Sequence, residues 1–195
     1  MANVRAQGRA PYAPWPAMRH AAASLRKVAH EHQMGSNHTV SAALVMTAFS
    51  VEAFIQSVGP EVLPETWNAG DKPVERWRVL DKLKAIGAAT GVAIDFGSSP
   101  WSGIKELFQA RDRLAHAKPN DREFDFIVTI PDGADEWDVV NAAVEEKFQP
   151  LHDLDKLDAL AKEIDVALLA IWVAAGHDEF SFTWHGMSYW SLTAI

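Results

Sequence analysis

The stretch LDKLDALAKEIDVALLAIWVAA, residues 154–175, has the clearest helical period in the chain. Its apolar residues recur at alternating steps of three and four: Leu154, Leu157, Ala161, Ile164, Leu168, Ile171 and Ala175. This spacing is typical of a helix in a bundle or coiled coil. We predict a helix over about 149–175, the longest of the chain. Its second half is apolar on all sides, which favours a central buried position or a subunit interface.

Four more helices are predicted upstream, from apolar residues at helical spacing and from residues that start and stop helices. Prolines mark three of the starts, because proline is tolerated in the first turn of a helix. Asn37 or Thr39 can cap the remaining helix, and Gly59-Pro60 is expected to end it. The four helices are predicted at about 17–33, 37–58, 73–86 and 100–114.

Two segments have the alternating pattern of a β-strand. Residues 123–131 place phenylalanine, valine and isoleucine at every second position ahead of the turn PDG, which predicts a strand. Near the C-terminus, FSFTW and MSYWS flank His185-Gly186, a two-residue link that favours a type I′ hairpin. Pairing across this link would set Phe182 opposite Tyr189. We therefore expect a hairpin within 177–195.

These predictions describe an all-α protein, a helical bundle of about five helices with a small antiparallel β appendage near the C-terminus. The length of 195 residues is that of one domain. We expect a single domain over 1–195. Within it, 1–14 would be an N-terminal arm, 15–176 a helical bundle with a strand insertion, and 177–195 the hairpin.

The composition favours a soluble cytoplasmic protein. The chain has no cysteine, which excludes disulfides and cysteine chemistry and suits a reducing compartment. Prolines interrupt the first residues, where a secretory signal would need an unbroken apolar run. No segment approaches the roughly 18 apolar residues of a membrane span. We expect no membrane contact.

The net charge of -8 is unevenly distributed. Residues 1–40 hold five Lys or Arg against one acid, whereas residues 132–165 hold eleven acids against three Lys. Because non-specific nucleic-acid binding depends on neutralising phosphates, we do not expect a broad nucleic-acid groove. If RNA is a substrate, we expect its contact with the protein to be small and transient.

No cofactor and no metal is expected from the motifs. The chain has no glycine-rich nucleotide or phosphate loop and no serine hydrolase elbow. The sequence HEH at 30–32 is the best metal candidate, but His30 and His32 would lie about 200° apart on a helix. One metal ion cannot readily take both side chains, so a solvated helix end is the preferred interpretation.

The segment ELFQARDRLAHAKPND, residues 106–121, combines an arginine and a histidine at the end of a predicted helix. Arg111 and His116 are five positions apart and would point about 140° away from each other. Asp112 and His116 are four apart and share a face, so the carboxylate could orient the imidazole for general acid or base work. Arg113 and Lys118 add positive charge beside the pair.

The order of SVEAFIQ, KPVERWRVLDKL and a helix ending in LFQARDRLAHAK resembles the HEPN superfamily of helical-bundle domains. Members typically have an Arg, usually a polar residue directly after it, and a His that four to six residues separate from the Arg. Arg111, Asp112 and His116 match this pattern. The resemblance covers roughly residues 38–120 and the long helix after them.

The resemblance implies a metal-independent endoribonuclease of toxin or defence type, in which a homodimer combines two motifs in one cleft. His116 would then act on the ribose 2′-hydroxyl or on the leaving oxygen, and Arg111 would hold the phosphate. Asp112 would orient the imidazole of His116. Arg113 and Lys118 would help to bind the RNA substrate. The alternative is a non-catalytic HEPN-like binding or assembly module.

The resemblance also raises an antitoxin-like protein as a possible partner. Some toxin members that pair with a nucleotidyltransferase antitoxin have a Tyr two residues after the His. The corresponding residue here is Lys118, so regulation by modification of such a Tyr is not expected.

Overall fold

The computed structural model describes residues 4–9, 14–32, 36–116, 123–148, 150–183 and 189–194. Six α-helices make up most of this part of the chain, which confirms the all-α class. They are α1 Pro14–Glu31, α2 Asn37–Val62, α3 Val79–Thr90, α4 Trp101–Ala115, α5 Glu136–Phe148 and α6 Leu154–Ala174. Short 3-10 helices lie at Val74–Arg76, Pro150–His152 and Glu179–Thr183.

Several helix boundaries differ from the prediction. The helix predicted over 73–86 is a 3-10 helix at Val74–Arg76 followed by α3, which begins at Val79 and ends at Thr90. The 26-residue helix α2 runs through Pro60 to Val62, so it is longer than the 21-residue α6. The close approach of Trp67 to Gly59 leaves no room for a side chain there, so this glycine serves packing and does not end the helix. Helix α6 begins only at Leu154, because the carboxylate of Asp153 accepts a hydrogen bond from the backbone N–H of Lys156 and caps the helix.

The strand predicted at 123–131 is wrong. Residues 123–130 have no regular secondary structure, because no neighbouring strand pairs with them among the described residues. An isolated strand leaves its backbone hydrogen-bonding groups unpaired and is not stable. The phenylalanine rings of this segment pack instead on each other and on α5, with 5.3 Å between the ring centres of Phe124 and Phe126 and 6.4 Å between those of Phe124 and Phe148.

The predicted C-terminal hairpin is also wrong in its first arm. Glu179–Thr183 form a 3-10 helix that buries Phe182, and residues 184–188 lie outside the described part of the chain. Strand β2, Tyr189–Ala194, pairs antiparallel with strand β1, Val4–Arg9, within the predicted N-terminal arm. Tyr189 therefore lies opposite Arg9 and not opposite Phe182.

The chain divides into two compact units. The first comprises Met1–His20, Phe49–Ile94 and Val166–Ile195. Its core is an aromatic cluster of Trp15, Phe54, Trp172 and Phe182, in which the ring centres of Trp15 and Phe182 are 4.6 Å apart. His177 stacks on Trp172 at 3.8 Å and makes a 2.8 Å contact with the carboxylate of Glu61. These contacts fix the chain after α6.

The second unit comprises Ala21–Ala48 and Asp95–Asp165. Its core contains fully buried leucine and isoleucine side chains from α2, α4 and α6: Leu44, Ile104, Leu107, Leu157 and Ile164. Gly103 lies directly against Leu160, which allows α4 and α6 to approach closely. This unit contains the helix that bears the Arg-His motif.

Helix α2 is the single described helix that is long and apolar enough to cross a membrane. Half of its apolar window is buried inside the structure. The apolar residues at 166–175 are not all buried either: Ala167, Leu168 and Ile171 are buried, whereas Val166 and Val173 are exposed.

Candidate functional site

Arg111 lies on the inner side of α4. It follows the buried residues Ile104, Leu107 and Phe108 at helical spacing, and its side chain is only 22% exposed. The guanidinium carbon is 5.2 Å from the centre of the Phe108 ring, and the Nε atom is 3.0 Å from the carboxylate of Asp112. Both contacts hold Arg111 against its own helix.

His116 ends α4 on the exposed side. It is the C-cap residue, and its backbone N–H donates a 2.9 Å hydrogen bond to the carbonyl of Asp112. Its ring makes no hydrogen bond or ion pair with any described residue, and the Asp112 carboxylate contacts Arg111 instead. The described structure therefore does not bring the side chains of Arg111 and His116 together in one chain. Lys118 lies outside the described residues.

A cleft of about 570 Å³ opens on the outer side of α4. Its walls come from α4, from the loop before it and from the end of α5. The lining residues are Phe96, Ser102, Lys105, Glu106, Gln109, Arg113, Lys147 and Phe148. Three cations thus face a single acid, and two aromatic rings border the same space.

The spacing of residues on α4 explains why the cleft is polar. Ser102, Glu106, Gln109 and Arg113 follow one another at steps of three and four, so they form one stripe along the helix. His116 lies seven positions after Gln109 and therefore continues this stripe. Arg111 is two positions from Arg113, about 200° around the helix, and falls on the opposite, buried side.

Helix α5, which the sequence did not predict, contributes Lys147 and Phe148 to the cleft. The Nζ atom of Lys147 is 5.1 Å from the centre of the Phe126 ring, so a cation–π contact holds this side chain beside the cleft. Glu146 is engaged by Lys156 at 2.7 Å, and this hydrogen bond raises the pKa of Lys156. Part of the acidic charge next to the cleft is thereby neutralised.

Arg26 and His30 of α1 both contact Asp158 of α6. Arg26 Nε is 2.6 Å from one carboxylate oxygen of Asp158, and His30 Nε2 is 2.7 Å from the other. Burial alone would raise the pKa of Asp158, but the hydrogen bonds with His30 and Arg26 outweigh it and lower the pKa. Arg26 therefore joins α1 to α6.

The described residues contain no group of three or more His, Asp or Glu that could hold a metal ion. In the HEH sequence, His30 contacts Asp158, whereas His32 is exposed beyond the end of α1. The functional candidates are thus the cation-lined cleft and the motif at the end of α4.

No family model, curated protein or solved structure matches this chain. The fold and the site define an all-α protein with a cation-lined surface cleft on α4.

Proposed function

We propose that this chain is a HEPN-like RNA-binding module that holds a short single-stranded RNA segment in the cleft between α4 and α5. The observation that supports this proposal is the presence of Lys105, Arg113 and Lys147 beside the rings of Phe96 and Phe148. Single-stranded nucleic acid is bound by this combination, because cations neutralise phosphates and aromatic rings stack on bases. Base stacking contributes about 1–3 kcal/mol per base.

The size and charge of the cleft set the expected mode of binding. A volume of about 570 Å³ lies within the roughly 300–1,000 Å³ typical of small-ligand sites, so it accommodates one or two nucleotides. The protein as a whole carries a net charge of -8, which repels longer nucleic acid. Binding should therefore be short-range, salt-sensitive and confined to the cleft.

A metal-independent endoribonuclease is the second candidate, and the position of His116 favours it. This exposed histidine ends the stripe that lines the cleft, so its ring can reach an RNA segment that continues past Arg113. His116 would remove the proton from the ribose 2′-hydroxyl or deliver one to the leaving oxygen. A cation would stabilise the phosphorane-like transition state.

In this second candidate a homodimer supplies the remaining parts of the active site. Arg111 of a single chain packs on Phe108 and pairs with Asp112, so another cation must hold the phosphate. Arg113, or Arg111 after rearrangement in a composite cleft, would take this role. An antitoxin-like partner protein would then act by covering the cleft.

The binding proposal is tested by fluorescence anisotropy with a short labelled single-stranded RNA. Lys105→Gln/Arg113→Gln should weaken binding at least tenfold, because two phosphate contacts are lost. Lys162→Gln is the matched control, since it removes an exposed cation of the same unit outside the cleft. Equal losses in the cleft variant and in the control would assign the binding to non-specific charge.

The nuclease candidate is tested with the same RNA in the presence of a chelator. Cleavage that leaves a 2′,3′-cyclic phosphate, and that falls by roughly 10²- to 10⁴-fold in His116→Ala, would support it. If the protein binds the RNA and the RNA stays intact, the non-catalytic binding module is the interpretation that remains. Equal cleavage by wild type and His116→Ala would rule out this histidine as the catalytic group.

A further inference from the structure

Residues 123–130 follow a period of two on the surface of the second unit. Their side chains alternate between exposed and half-buried positions. The exposed ones include Asp125, Ile127 and Thr129, and the half-buried ones are Phe126, Val128 and Ile130. This alternation is typical of an extended chain that turns one face toward the protein. The segment therefore has the side-chain arrangement of a β-strand, without a neighbouring strand among the described residues.

The inner face of this segment is fixed by contacts with α5. The ring centre of Phe124 lies 6.4 Å from that of Phe148, and the ring centre of Phe126 lies 5.1 Å from the Nζ atom of Lys147. The outer face has Ile127 at its centre, and this side chain is fully exposed. A single exposed isoleucine is common on protein surfaces and is not by itself a binding site.

The backbone indicates which kind of partner the segment can bind. The N–H and carbonyl groups of residues 123–130 make no hydrogen bond with any residue that the structure describes. A row of open donors and acceptors along an extended segment is a template for another strand, which adds by backbone hydrogen bonding. Packing on α5 supports such a pair, because a two-stranded sheet needs a helix or further strands against one face to be stable.

The sequence of the segment selects a second copy of itself as the added strand. In an antiparallel pair centred on Ile127, this residue faces Ile127 of the second copy, and Asp125 faces Thr129. On the inner face, Phe126 lies opposite Val128. No like charges lie opposite each other in this register, and the two exposed isoleucines cover one another.

The neighbouring antiparallel registers are less favourable. A pair centred on Asp125 places two carboxylates opposite each other, and a pair centred on Phe126 places Ile127 opposite Asp125. A pair centred on Val128 places Asp125 opposite Pro131, which has no N–H to donate. The register centred on Ile127 is thus the one that charge and hydrogen bonding favour.

We infer that two copies of this chain associate by antiparallel pairing of residues 123–130, with Ile127 on the two-fold axis, and form a two-stranded sheet across the dimer. The interface is isologous, because each copy contributes the same segment. None of these residues lines the cleft between α4 and α5 or belongs to the Arg-His motif. The association therefore goes beyond the proposed RNA binding and does not rest on it, and all of its tests are done without RNA.

Sedimentation of the full-length protein tests the association. The wild type should be a dimer at high micromolar concentration. Ile127→Lys should weaken the dimer at least tenfold, because it places two like charges opposite each other. Val166→Lys is the matched control, since Val166 is also an exposed apolar residue, 67% exposed, but lies on α6. A monomeric wild type would overturn the inference, and so would a dimer that Val166→Lys dissociates and Ile127→Lys does not.

Cross-linking tests the register. The chain has no cysteine, so each variant carries a single thiol. Ile127→Cys should form a disulfide-linked dimer on mild oxidation, because opposite Cβ atoms in such a pair are about 4.5–5.5 Å apart. Thr129→Cys is the control, since its two copies would be about 13 Å apart along the strands. Mixing Thr129→Cys with Asp125→Cys should restore cross-linking. Equal cross-linking of Ile127→Cys and Thr129→Cys, each alone, would contradict this register.

Amide hydrogen exchange of the wild-type protein does not depend on the folding of any variant. Pairing protects backbone N–H groups, and mass action makes the paired fraction depend on protein concentration. The amides of residues 123–130 should therefore exchange at least tenfold more slowly in a concentrated sample than in a dilute one, whereas those of α6 should not change. Equally fast exchange of residues 123–130 in both samples would show that these residues do not pair.

Discussion

The salt dependence of RNA binding gives the sharpest test of the cleft. Each phosphate contact to single-stranded nucleic acid contributes about -0.7 to the slope of log K against log salt concentration. Lys105, Arg113 and Lys147 can make three contacts, so the slope should be about -2. A rise from about 50 to about 200 mM salt would then weaken binding roughly twentyfold.

Removal of one cation should change this slope by a defined amount. Arg113→Gln leaves two contacts, so the slope should fall to about -1.4 and the same rise in salt should weaken binding only about sevenfold. Fluorescence anisotropy at four or five salt concentrations measures both slopes, and Lys162→Gln should reproduce the wild-type slope. A wild-type slope near zero, or an unchanged slope in Arg113→Gln, would refute phosphate binding by this cleft.

Two further predictions concern stability and are read by urea unfolding. Asp158→Asn should cost about 1–3 kcal/mol at neutral pH, because it removes charge-assisted hydrogen bonds at a side chain that is 28% exposed. The pKa of Asp158 is lowered from 3.8 by folding, so this loss should be complete above about pH 4 and should vanish as the pH falls through the folded-state pKa. Gly59→Ala should destabilise by about 1–3 kcal/mol, because the new methyl group would overlap the ring of Trp67. Stabilisation by this substitution, as helix propensity alone predicts, would contradict the observed packing.

A helix could be predicted from sequence where only one of its faces is buried. In α2, the apolar stripe includes Val40, Leu44, Val51 and Phe54, and all four side chains are buried. Helix α5 was not predicted from its acid-rich sequence. A local signal was nevertheless present: the carboxylate of Asp135 accepts hydrogen bonds from two backbone N–H groups of the first turn, at 2.8 and 3.1 Å.

The errors in the strands have a different cause, which is that pairing depends on residues far away in sequence. Residues 123–130 alternate as a strand does, but no strand pairs with them in the described structure. Tyr189–Ala194 find their partner in Val4–Arg9, about 180 positions earlier, and not across His185-Gly186. A turn signal can favour a local hairpin, but it cannot reveal a competing partner at the other end of the chain.

The candidate site was predictable in its position but not in the roles of its residues. Helical geometry already implied that Arg111 and His116 diverge, and the structure adds which of them faces inward. Phe108 and Asp112 hold Arg111 on the buried side, while Arg113 lines the cleft. The sequence could not show that the loop before α4 and the end of α5 close this cleft, because both contacts depend on tertiary packing.

Two arginines of α4, two positions apart, explain how an acidic protein can have a cation-lined cleft. A separation of two residues turns Arg111 and Arg113 about 200° apart, so the helix divides its positive charge between the interior and the surface. The inner arginine is compensated by Asp112 next to it, and one acidic charge near the cleft is compensated by Lys156. Local pairing of this kind cancels acids that would otherwise repel a phosphate, and it leaves Arg113 and its neighbours to determine the potential in the cleft. If the cleft binds RNA as proposed, the net charge of the chain limits the length of the nucleic acid, and the stripe along α4 determines where binding begins.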